Sequence, residues 1–154
     1  MEIKAPKPFR SYPRPFIFLC GSIEMGTAEN WQKKVVKAFE KGTVLNPRRD
    51  NWDSSWVQSI ENPYFKKQVE WELLAQELAD VVLVHFDPTT KSPITLLELG
   101  LFKHKCIVHC PEGYWRKGNV DIVCERYKVP TALTLDDLIF QARGKLKEYF
   151  LKGK

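Results

Sequence analysis

Residues 79–100, ADVVLVHFDPTTKSPITLLELG, decide the reading of the fold. The run Val81-Val82-Leu83-Val84 is short, β-branched and bounded by turn residues. Such a run reads as a strand buried on both faces, the pattern of a parallel sheet. Asp87-Pro88 and Lys91-Ser92-Pro93 form the loop behind it. Pro93 suits a first helical turn, where its missing N–H would have no partner anyway. Asp80 therefore stands at the start of a central strand. Glu98 lies on the first turns of the helix that leaves its far end. Charged side chains are rarely buried without a reason, and Glu98 is flanked by Leu96, Leu97, Leu99 and Leu101. Either it occupies the polar edge of a core helix, or it serves a site.

Working outward, residues 15–23 (PFIFLCGSI) read as the first strand, running into Gly21-Ser22. Thr27 can cap a helix over 28–41, where Ala28, Trp31, Val35, Ala38 and Phe39 recur at helical spacing. Thr43-Val44-Leu45 is a short second strand, stopped by Asn46-Pro47. Residues 48–61 form a long polar loop bearing tryptophans, and loops of that length in compact domains are often functional. Asn62-Pro63 caps a helix reaching about Leu78, with Phe65, Val69, Glu72 and Leu73 along one flank. Beyond Glu98, residues 106–109 are a fourth strand, and Asn119 caps a short helix to about Tyr127. Residues 130–133 are a fifth strand, and Thr134 caps the last helix with Asp137 in its first turn.

Strand and helix patterns alternate five times. That calls for an α/β fold: a single-domain, doubly wound, five-stranded parallel sheet of flavodoxin/Rossmann-like type, order 2-1-3-4-5, with helices on both faces. Residues 1–15 read as a basic, proline-rich arm, 16–150 as the domain and 151–154 as a basic tail. Ligands in such sheets bind beyond the carboxyl ends of the strands at the switch point. Here that is the edge holding Gly21-Ser22 and residues 87–92.

The 154 residues, 44% hydrophobic, suit one globular domain with a proper core. No stretch approaches the ~20 apolar residues that span a bilayer, and the N-terminus has no apolar signal core. A cytoplasmic location is expected, with no membrane partner. The net charge of +5 is concentrated at the ends. Residues 1–15 carry four basic and one acidic residue, and residues 141–154 carry five and one. No basic stripe interleaved with aromatics runs along a helix face, so nucleic acid is not an expected partner. Cys20, Cys106, Cys110 and Cys124 include no C-x-x-C pair and read as buried free thiols. His104, Cys106, His109 and Cys110 resemble a metal cluster only on paper, because strand neighbours point to opposite faces. No metal and no cofactor are expected.

Gly21 to Gly26 has the glycine spacing of a phosphate loop but lacks the lysine that would reach the phosphates. It reads as a tight turn that brings backbone N–H groups and the Ser22 hydroxyl to a polar ligand; a plain strand-to-helix turn explains the glycines equally well. No nucleophilic Ser-His-Asp or Cys-His arrangement stands out, and His85 and His109 sit inside strands. The chemistry rests on carboxylates. Two of them around one pocket suit reactions at a sugar's anomeric carbon, and burial of one would let it act as an acid near neutral pH.

IFLCGSI (17–23), LNPRR with Trp52 (45–52), FKKQVEWE (65–72), the Ala79-Asp80 strand and LLELG (96–100), in this order, resemble the nucleoside 2-deoxyribosyltransferase superfamily, and most of all its transferase-like branch. The likeness runs from about Ile17 to Val123. It implies base exchange on a 2′-deoxynucleoside through a covalent deoxyribosyl-glutamate, with free nucleobase as the second partner. Carried over by motif, Glu98 would be the nucleophile and Asp80 would handle the proton on the base. Ser92 would contact sugar or phosphate, and Gly21 and Ser22 would line the floor. Asn119 would reach the sugar of a neighbouring subunit, making the site shared in a homo-oligomer. For the base, Trp52, Trp56 and Trp71 are candidate walls, and Asn46 and Arg48 are candidate edge readers; Trp71 has a core-packing alternative.

Two departures bear on chemistry. Several relatives have tyrosine where this chain has Phe18, and that hydroxyl steadies the glutamate. Monophosphate-cleaving relatives carry arginine where Glu24 stands, which favours an unphosphorylated nucleoside here. The alternatives are an N-glycosidase acting on a nucleoside or its 5′-monophosphate, and a non-catalytic nucleoside-binding module.

Overall fold

A computed structural model describes residues 1–23 and 30–152. In chain order it contains β1 (Glu2–Lys4), β2 (Phe16–Gly21), α1 (Trp31–Ala38), β3 (Thr43–Asn46), α2 (Pro63–Leu78) and β4 (Val81–His85). Then follow α3 (Pro93–Phe102), a 3-10 turn (Lys103–Lys105), β5 (Cys106–His109), α4 (Lys117–Tyr127), β6 (Thr131–Ala132), α5 (Leu135–Lys145) and α6 (Lys147–Leu151). The strands form one parallel sheet in the order β1-β3-β2-β4-β5-β6. The expected order is present, extended by one strand.

That strand corrects the expectation of five strands and of a separate arm. Glu2, Ile3 and Lys4 pair with Val44, Leu45 and Asn46 on the edge of β3. Ile3, Ala5 and Phe9 are buried, and Phe9 packs edge-on against Phe16 and Trp71. The prolines and basic residues of this segment mask three apolar anchors that fold it onto the core.

Alternation along the strands sorts the core into two layers. Phe16, Phe18 and Cys20 of β2 face the layer shared with Trp71 and Ala75 of α2, Leu99 of α3 and Val120 of α4. Ile17 and Leu19 face the other layer, with Trp31 and Val35 of α1 and Leu138 and Ala142 of α5. Helices thus cover both faces, as a doubly wound sheet requires. All four cysteines are free and buried. No helix among the described residues is long and apolar enough to cross a membrane.

The caps match the sequence at Asn62, whose side chain accepts from the N–H of Tyr64 and Phe65, and at Thr134, which accepts from Asp137. Two expectations need revision. Helix α1 begins at Trp31 behind Asn30, which accepts from Lys33 N–H; Thr27 lies outside the described residues. Asn119 lies inside α4, which starts at Lys117.

Candidate active site

A cavity of about 490 Å³ opens at the carboxyl end of β2, between α2 and α3. Its walls are mostly apolar and include Phe18, Phe65, Val69, Leu73 and Leu97. Its floor is Gly21, which has no room for a side chain. A Cβ there would stand 2.3 Å from the carbonyl oxygen of His85 and 2.8 Å from the Trp31 ring. Only glycine lets β2 and β4 run this close beneath the cavity.

Two carboxylates line that apolar space: Glu98 from α3 and Glu72 from α2. Gln68, Glu72 and Gln76 recur at intervals of four along α2, so they stack on one helical face. Nε2 of Gln76 donates to Oε2 of Glu98. Sγ of Cys20 lies 4.0 Å from the other oxygen, Oε1. Gln68 donates to Oε1 of Glu72 at 2.6 Å and to the carbonyl of Pro47 at 3.1 Å. The Gln68 oxygen accepts from Arg49, whose guanidinium stacks over Trp56.

Burial dominates the electrostatics. It pushes the Glu98 carboxyl up to about 7; the nearby Glu72 charge pushes the same way, against the Gln76 hydrogen bond. Glu72 is likewise raised to about 7 by burial, opposed by Gln68. The Glu72 charge disfavours a second charge on Glu98, which favours one ionised and one protonated carboxyl near neutral pH. One ionised and one protonated carboxyl in a single cavity can attack an electrophilic carbon and protonate a leaving group.

A family model described as nucleoside 2-deoxyribosyltransferase like matches residues 14–114, about two thirds of the chain. The chain belongs to this nucleoside 2-deoxyribosyltransferase-like family. No curated protein matches it.

Near the carboxyl end of β2, a knot of hydroxyls sits at the switch point. Ser22, Thr90 and Ser92 lie within 2.7–2.8 Å of one another, and Ser22 Oγ accepts from the N–H of Asp87 at 2.8 Å. Ser92 holds a left-handed backbone, φ 46°, and lines the cavity. Ser22 is buried behind it and shapes the floor through Ser92. On the neighbouring strand ends, Nδ1 of His85 meets Nδ1 of His109 at 3.0 Å. Burial drives His85 down to about 4 and also lowers His109, so the site disfavours charge on either ring. Among the described residues, no group of three or more His, Cys, Asp or Glu is placed to hold a metal ion.

Several expected site residues stand elsewhere. Asp80 lies at the opposite end of the strands. Its Oδ2 accepts from Phe16 N–H, and its Oδ1 accepts from Arg14 and from the Tyr149 hydroxyl. A strand's first residue is far from its carboxyl end, and the role carried over by resemblance set aside Asp80's own place in the sequence, at the start of its strand. Trp71 is buried, donates to the Lys7 carbonyl at 2.8 Å and packs on Phe9, so its packing alternative holds. Asn46 donates to Glu2 and accepts from the Arg48 N–H, tying β3 to the N-terminal strand; neither Asn46 nor Arg48 lines the cavity. Trp52 does line it, from the long loop, stacked edge-on with Trp56. Asn119 is exposed on α4, outside the cavity of its own chain and beyond the matched segment. Glu24 lies outside the described residues.

Glu72 and Gln76 are the residues that motif reading passes over. The signal was present: polar side chains at positions 68, 72 and 76 share a helix flank with Phe65, Val69 and Leu73. A repeated polar residue on a core-facing stripe marks a buried polar row.

Proposed function

We propose that the chain exchanges the base of a 2′-deoxynucleoside through a covalent deoxyribosyl ester on Glu98, with Glu72 in the proton-handling role first expected of Asp80. One observation carries this: Glu72 and Glu98 converge on one apolar cavity, both raised to about 7. An oxygen of ionised Glu98 attacks C1′ while the C–N bond breaks with its electron pair going to the base. The proton on Glu72 passes to the departing nitrogen. An incoming base then gives its proton to Glu72 and attacks C1′, and the C1′–O bond breaks to regenerate the Glu98 carboxylate. Ser92, Trp52 and Phe65 line the cavity; in this reading Ser92 meets the sugar, and Trp52 and Phe65 flank the base.

No lysine or arginine lines the cavity among the described residues, which supports an unphosphorylated substrate. The proposal includes self-association. Ile94, Leu97 and Leu101 on the cavity rim are 58%, 60% and 53% exposed, an apolar edge that a second copy would cover. In such an assembly the exposed Asn119 is available to a neighbour's site. Sedimentation at micromolar concentration tests this; a monomer with full activity contradicts it.

The chemistry is tested by incubating the protein with a deoxynucleoside and a different free base and separating the products. Formation of the swapped nucleoside, lost in Glu98→Ala, supports exchange. Free base and sugar without transfer assign hydrolysis instead. Ligand affinity without turnover, kept in Glu98→Ala, assigns a binding module.

A further inference from the structure

We propose that Gln76 is the positioning residue for the Glu98 nucleophile, a role filled in several resembled relatives by a tyrosine hydroxyl where this chain has Phe18. The proposal rests on Glu98 being the attacking group. Gln76 is completely buried. One of its amide protons goes to the carbonyl of Glu72 at 3.2 Å and the other to Oε2 of Glu98. Both partners are acceptors, so the amide nitrogen must face them; turning the amide over would set an oxygen against the carboxylate. The Gln76 oxygen, in turn, is buried with no donor among the described residues. Leaving a buried carbonyl unsatisfied costs about 1–3 kcal/mol. A buried group held at that cost calls for a reason, and the donor it keeps on Glu98 supplies one.

Phe18 lies two residues before Cys20 on the same face of β2 and lines the same cavity. It has no hydrogen-bonding group to offer Glu98. Gln76 approaches instead from α2, one turn beyond Glu72, so a single helix carries both the proton-handling acid and the clamp. The geometry also distinguishes the two oxygens of Glu98. Oε2 is engaged by Gln76, while among the described residues Oε1 meets only the Cys20 thiol, at 4.0 Å. The bond to C1′ therefore forms at Oε1. Oε2 becomes the ester carbonyl and keeps accepting from Gln76. When the second base attacks C1′ and the C1′–Oε1 bond breaks, the electron pair returns to a carboxylate whose charge Gln76 already meets.

The test compares wild type, Gln76→Leu and Phe18→Tyr/Gln76→Leu. In ligand-free protein, ¹³C NMR should show the Glu98 carboxyl titrating at higher pH in Gln76→Leu, because a donor to the charged form has gone. In the exchange assay, kcat should fall by about 10²-fold with the acid limb of the pH–rate profile moved up. KM should stay within about threefold. The added tyrosine should restore about tenfold or more of the lost rate. Should Gln76→Leu not fold, the native glutamine reports instead: its side-chain ¹⁵N resonance must follow the Glu98 titration in wild type and lose that response in Glu98→Gln. A folded Gln76→Leu with unchanged Glu98 midpoint and kcat overturns the proposal, as does a Gln76 resonance indifferent to pH. An inactive wild type in which the resonance does follow Glu98 would instead refute the transfer reading and leave the clamp standing.

Discussion

The hydroxyl of Tyr149 donates a 2.7 Å hydrogen bond to Oδ1 of Asp80, tying α6 to the start of β4. Arg14 shares that oxygen at 2.6 Å, and Phe16 N–H holds the other. Asp80 is thus a staple joining three segments at the amino ends of the central strands. Asp80→Asn should lower stability by about 2 kcal/mol in urea unfolding. The kcat of the folded variant should stay within about twofold of wild type. A large loss of kcat without loss of stability would return Asp80 to the chemistry.

Gly21→Ala should destabilise severely, by about 3 kcal/mol or more, because the new methyl meets backbone rather than a flexible side chain. Thermal unfolding measures this. Hydrogen exchange should show the damage concentrated where β2 pairs with β4. A variant as stable as wild type would mean that the two strands separate more readily at the cavity floor than their register implies.

The raised Glu98 carboxyl sets a pH dependence with a definite sign. Its folded value of about 7 lies above its ordinary value of 4.5, so the native state holds a proton that the unfolded state has released. Wild-type stability contributed by this group therefore falls as pH rises from about 4.5 to about 7. Glu98→Gln escapes the penalty. Near pH 4 the two proteins should differ little, and above pH 7 the variant should be more stable by about 1–3 kcal/mol. A difference that does not change with pH would mean that Glu98 is solvated in the folded state.

Strand order and layering were legible because the central strands are short apolar runs and α2, α3 and α5 announce themselves by a cap or a first-turn proline. The N-terminal strand was not. Ile3, Ala5 and Phe9 are too few and too interspersed with prolines to show a period, and their burial depends on an edge that only the folded sheet supplies. Glu98, Gly21 and Ser92 were readable from local motifs at the carboxyl end of the strands. That Glu72 shares the cavity with Glu98 was not, because the motif likeness drew attention to Asp80 although Asp80 stands at the entry of its strand. Three-dimensional placement separates them: eight residues of helix and turn carry the chain from the cavity at Glu72 to the far end of the strands at Asp80.

The rate profile follows from the same pair. Exchange needs Glu98 ionised and Glu72 protonated, so kcat should trace a bell centred near neutral pH. Glu72→Gln should lose the alkaline limb and about 10²–10⁴-fold in rate on donors whose base needs protonation. A flat profile would remove Glu72 from proton transfer.

The decisive measurement is to incubate Glu72→Gln with a 2′-deoxynucleoside whose base leaves without protonation, quench in acid, digest, and locate any added mass by peptide mass spectrometry. A deoxyribosyl adduct on Glu98 is expected, and none in the Glu72→Gln/Glu98→Ala protein. Undiminished base exchange in Glu98→Ala, or an adduct on another residue, would contradict a covalent role for Glu98.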